Sequence, residues 1–171
     1  MNITGATEVG GVFEFELVRD GKVIDKWSDH NLVTNEGLND LLQVYLGNGT
    51  QKTTWYVGLF EGNYPPVASV TGATVKSAAN ECVAYDEATR PEWVDAAAAS
   101  QQITNTASKA TFTMNASKTV YGAFLISANA KDGSNDAASK LFAISRFSAA
   151  RSLVATDELL VTYTVSASSA A

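Results

Sequence analysis

One histidine, His30, and one cysteine, Cys82, make up the imidazole and thiol chemistry available to this chain. A nucleophilic site needs a base held against the nucleophile, and neither residue stands in a motif that would activate it. His30, in SDHNLVTN, falls at the end of a predicted strand, where an imidazole usually serves as a surface or hydrogen-bonding group. Cys82 reads as a small buried hydrophobe. One His and one Cys make no zinc site without carboxylates. KDGSND, residues 131–136, sets Asp132, Ser134 and Asp136 at alternate positions, as a calcium loop does. Counted from Asp132, however, it lacks the glycine at the sixth place, and Ala143 stands where the twelfth-place glutamate belongs. It reads as a polar hairpin tip. Glu87, Glu92 and Asp95 could supply paired carboxylates for glycoside hydrolysis, but acids in a solvated loop are commonplace. In ATRPEW, Arg90 could fork onto a carboxylate or stack on Trp93 as a ligand anchor. The plainer reading, preferred here, is that Trp93 pins a long loop to the fold. Glycine motifs that cradle phosphate are absent. No catalytic, cofactor-binding or metal-binding residue is assigned, and no enzymatic activity is expected.

The elements that would position these groups follow from periodicity. In VFEFELVRDGKVIDKW, Phe13, Phe15 and Leu17 alternate with Glu14 and Glu16, the pattern of a strand with one buried and one wet face. Asp20-Gly21 then signals a hairpin. In TNEGLNDLLQVYLGNG, Leu38, Leu41, Leu42 and Tyr45 recur at helical spacing, predicting one helix over about 35–46 and none of comparable length elsewhere. Thr34 or Asn35 can cap its start, Glu36 suits its positive end, and Gly47 can end it. A strand from about Thr54 to Phe60 follows. Residues 61–100, which hold all three prolines, read as a long irregular segment. The C-terminal half predicts strands at Ala110–Asn115, Thr119–Ser127, Lys140–Phe147 and Glu158–Ser166. The run TVYGAFLIS is apolar on both faces, so it must be covered on both sides by the opposing sheet and by a helix, a long loop or a neighbouring subunit.

Together these predict a mainly β protein, an antiparallel β-sandwich with one short helix. Its organisation would be a flexible glycine-bearing arm at 1–11, a single sandwich domain at 12–166 and a frayed tail at 167–171. With 171 residues, a compact fold buries roughly 70% of its unfolded surface and needs no disulfide or metal. The formal charge of −6 argues against a nucleic-acid partner, which would require a basic face. No signal peptide and no apolar run of membrane-spanning length is read, so no membrane partner is expected either.

The order of five segments is more specific than any one of them: DHNLVTNEGLNDLL, WYVGLFEGNYPP, TRPEW, FTMNASKTVYGAFLIS and LFAISRFSAARSLVATDELLVTYTVS. Across about residues 29–166 the chain resembles a family of small structural proteins of tailed bacteriophages, variously labelled head-decoration, cement, tail or fibre proteins. The resemblance implies a virion component without catalysis. Its decoration reading implies a jelly-roll-like sandwich on the outer capsid surface, assembled as dimers or trimers over seams between major capsid subunits. The competing expectations are a tail- or fibre-associated structural module and a carbohydrate-binding module using Trp27, Trp55 or Trp93 as stacking platforms.

Overall fold

The computed structural model describes residues 7–169. Its strands are β1 (Thr7–Arg19), β2 (Lys22–His30), β3 (Leu32–Val33), β4 (Tyr56–Phe60), β5 (Glu81–Cys82), β6 (Gln102–Thr104), β7 (Ala110–Thr113), β8 (Lys118–Ile126), β9 (Leu141–Leu153) and β10 (Glu158–Ser169). Two helices, α1 (Asn35–Tyr45) and α2 (Gly72–Ala79), accompany them. The strands form two antiparallel sheets: β2-β1-β10-β6, with β7 also on β10, and β3-β9-β8-β4-β5. One apolar core joins them, so the fold is the β-sandwich that the spacing of strands predicts. Among the described residues no helix is long and apolar enough to cross a membrane.

The first strand behaves as its alternation dictates. Phe13, Phe15 and Leu17 are buried, and Glu14 is exposed. Phe13 lies opposite Tyr163 on β10, and their rings stack with centroids 4.0 Å apart. Such a pair adds specificity beyond the area that it buries. Asp20 and Gly21 both take positive φ, 51° and 71°, as a type I′ hairpin turn requires.

Three boundaries differ from expectation. Residues 1–6 of the expected arm lie outside the described residues, but Thr7–Gly11 are part of β1, registered against Val165–Ser169. Gly11 is there for close approach rather than flexibility: a Cβ on it would lie 2.4 Å from the Thr164 carbonyl and 2.8 Å from the Tyr163 ring. By the same pairing, residues 167–169 are strand rather than frayed tail, and residues 170–171 lie outside the described residues. The segment 61–100 is not wholly irregular, since it holds α2 and β5. A second helix therefore exists, three residues shorter than the first.

That second helix answers what covers β8. Ala123 and Leu125 face the inter-sheet core, while Phe124 and Ile126 pack on the other side with Val70, Val75 and Ala79 from the α2 segment. The two-sided strand is thus closed within the chain. Two glycines make this outer face possible. Gly58 pairs with Phe124 across β4 and β8, and Gly122 pairs with Phe60. A Cβ on either glycine would fall 2.1 Å from the ring opposite, so each ring occupies the space that a side chain would need. The register also shifts between Val120 and Gly122, which returns Val120 to the inter-sheet core.

Candidate assembly surface

The ionisable side chains of the irregular segment turn inward and tie it together. Arg90 is fully buried, and its guanidinium forks onto two carboxylates. Nε and Nη2 donate to Glu81 at 2.7 and 2.8 Å, and Nη1 and Nη2 donate to Asp136 at 2.7 and 3.0 Å. Nη1 also donates to the Ala128 carbonyl at 2.9 Å, and the Arg90 backbone N–H donates to Asn129 O at 2.8 Å. Burial alone would pull this guanidinium's pKa down, but the hydrogen bonds to Glu81 and Asp136 outweigh it and hold the charge. Burial pushes the Glu81 carboxyl up, against the pull of Arg90. With all five guanidinium N–H donors filled by protein acceptors, Arg90 joins β5, the 83–95 loop and the 128–139 loop. Trp93 adds the expected pin: it is buried, and its indole N–H donates to Tyr163 O at 2.9 Å.

The other residues with chemical potential are dispersed. His30 is exposed on β2 of the first sheet, whereas Cys82 is buried on β5 of the second, its thiol pushed up by burial. The KDGSND residues separate: Asp132 accepts from Ser134 N at 2.8 Å, and Asp136 turns inward onto Arg90. Glu87 accepts from Thr113 N, while Glu92 and Asp95 stay exposed. Among the described residues no group of three or more His, Cys, Asp or Glu side chains gathers in one place. The three tryptophans do not stand out as platforms. Trp93 is buried, and Trp55 is half-buried against Phe142. Trp27 is half-buried, stacked on Phe15 with the Arg151 guanidinium 4.8 Å from its ring centre.

The surface that is left open is apolar and lies on α1. Thr34 caps the helix, its Oγ1 accepting from Gly37 N at 2.9 Å and donating to Leu141 O. Glu36 anchors the first turn, accepting from Gly72 N and Leu141 N, each at 2.8 Å. Gly37 is the one buried residue of the helix, pressed on the Phe142 backbone, where a Cβ would lie 2.5 Å from the carbonyl oxygen. This contact fixes which way the helix faces. The predicted apolar face stays largely open: Leu38, Leu41, Leu42 and Tyr45 are 38%, 39%, 54% and 85% exposed, and the C-cap Leu46 is 75% exposed. Leu41 also lines, with Trp55, Trp93, Ile103, Phe142 and Val165, an apolar cleft of about 210 Å³ between the helix and the sandwich.

The helical spacing identified an apolar face and left its direction open. The sign that it faces out is Gly37, since the small residue of a helix marks the side that approaches a backbone. Contiguous exposed apolar surface of this kind is characteristic of interaction sites. No family model matches this sequence, and no curated protein matches it.

Proposed function

We propose that the protein is a structural component of a tailed-bacteriophage virion, a capsid decoration or cement protein. It would act as a homo-oligomer that stabilises the head by lying over seams between major capsid subunits. One observation carries the reading as an assembly protein: α1 presents an uncovered leucine flank, although the other large apolar surface outside the core, on β8, is closed by α2. The five ordered segments over residues 29–166 support a phage setting. Shell stabilisation depends on contact area, about 800 Å² per partner for a specific interface, and repeated copies add avidity.

The test is localisation. Gold-labelled antibody against the protein, applied to intact virions of the encoding phage and viewed by negative stain, is expected to decorate the head. Purified protein should co-sediment with heads that lack it. Label confined to the tail would overturn decoration in favour of a tail adaptor, and virions without label would overturn the virion assignment.

A further inference from the structure

We propose that the corner where β2 meets β9 is a seam that opens locally, well before the molecule unfolds, and gives the sandwich one movable side. The inference concerns the fold itself and does not depend on the virion assignment. Trp27 and Asp29 alternate along β2, and Asn31 continues the same ladder, its N–H donating to Gly11 O at 3.2 Å. Residues two apart share one face of a strand. That face meets β9: Asp29 Oδ1 accepts from Ser148 N at 2.9 Å, and the Arg151 guanidinium lies over the Trp27 ring. Ser145 Oγ adds a hydrogen bond to His30 O at 2.9 Å.

Polar atoms without partners gather at this corner. Among the described residues, seven buried side-chain nitrogens and oxygens have no hydrogen-bond partner. Five of them are here: Trp27 Nε1, Asp29 Oδ2, both amide atoms of Asn31, and Arg151 Nε, which is 3.7 Å from the Asp25 carboxylate. A sixth, the Tyr163 hydroxyl, borders Gly11, the residue opposite Asn31: a Cβ there would lie 3.0 Å from it. A buried donor or acceptor without a partner bears its full desolvation cost while the corner is closed and regains hydration when it opens. The far edge of the second sheet, at β5, has the reverse arrangement, since all five donors of Arg90 are filled there.

Strand pairing is thin at the same place. β2 is the outer strand of its sheet. In β9, Arg146 pairs with Gly122 and Arg151 with Val120, so residues 147–150 stand opposite Tyr121 alone. Such a bulge interrupts the ladder. On its other edge β9 meets β3 at Ala143 and Ile144 only. Few ladder bonds and poorly paired polar groups mark the part of a fold that opens first.

Hydrogen–deuterium exchange of the full chain, read by mass spectrometry, is expected to show peptides 25–31 and 145–151 opening together, about tenfold or more faster than Phe13–Leu17. Asn31→Leu replaces two unpartnered atoms with apolar surface of similar size, so it should keep or raise the thermal midpoint and slow both peptides. Tyr163→Phe, which removes the hydroxyl alone, should also leave the midpoint unchanged or higher. Ordinary fraying of β2 would leave 145–151 protected, and that result overturns the proposal. So does exchange that Asn31→Leu leaves as fast, an Asn31→Leu chain that does not fold, or a fall of more than about 2 °C in either variant.

Discussion

Arg90 shows how a residue can be functional in type and structural in use. A buried guanidinium with two carboxylates resembles a ligand clamp, yet both acids come from the chain itself. Replacing a buried ion pair by apolar groups can be harmless, but removing one partner leaves uncompensated charge and costs about 3–5 kcal/mol. Arg90→Ala is therefore expected to lower the thermal midpoint by roughly 10 °C, given about 2–4 °C per kcal/mol for a chain of this size. Arg90→Lys should recover little, because an ammonium cannot fork onto two carboxylates. Differential scanning fluorimetry decides it: a drop of under 2 °C for Arg90→Ala would mean that the loops do not depend on this tie.

At the scale of elements, β4 and β8 are locked by reciprocal exchange of ring for glycine. Phe60 covers Gly122 and Phe124 covers Gly58, so α2 can lie on a face that its small residues would otherwise leave uneven. Gly122→Ala drives a Cβ against both the Phe60 ring and the Ser145 carbonyl oxygen, and overpacking of this kind costs about 1–3 kcal/mol. The same substitution made in a Phe60→Leu background should cost measurably less, since residues in contact are not additive. Urea denaturation of the four proteins forms the cycle. Equal costs in both backgrounds would show that ring and glycine are uncoupled. Helix α2 itself was hard to foresee because two of its three buried positions are Gly72 and Ala79, which give almost no apolar contrast.

For the molecule as a whole, the surface ion pairs predict how acid acts. Hydrogen bonds from Lys109 and then Lys26 hold the Glu16 carboxyl at about 2, well below its ordinary 4.5. Arg19 likewise lowers Asp157, which also accepts from Val154 N at 2.8 Å. A carboxyl depressed in the folded state contributes stability above its unfolded pKa and loses it as pH falls through the folded value. For Glu16 the loss therefore runs from about pH 4.5 down to about 2. Its pairs are partly solvated, so the contribution is under about 1 kcal/mol. Glu81, raised by burial, works in the opposite sense. The readout is accordingly a difference: Glu16→Gln should lie roughly 1–3 °C below wild type at pH 6, and the gap should close by pH 2. A gap that persists at pH 2 would refute the assignment to ionised Glu16.

Local pattern was enough to determine seven of the ten described strands, the Asp20-Gly21 hairpin, helix α1 with its Thr34 cap and the sandwich class, because each depends on periodicity or on backbone conformation within a few residues. The proposed phage setting rests on a resemblance in the order of segments, which the geometry does not address. Tertiary structure alone decided three things. Burial of Arg90 depends on acids 9 positions before and 46 after it, separations that no local pattern encodes. Covering β8 with α2 depends on small residues whose packing is visible only once the rings opposite them are placed. The outward turn of Leu38, Leu42 and Leu46 followed from Gly37 meeting the Phe142 backbone. Amphipathicity states that a helix has an apolar side, but only the fold determines whether that side meets its own core or the surface where a partner binds.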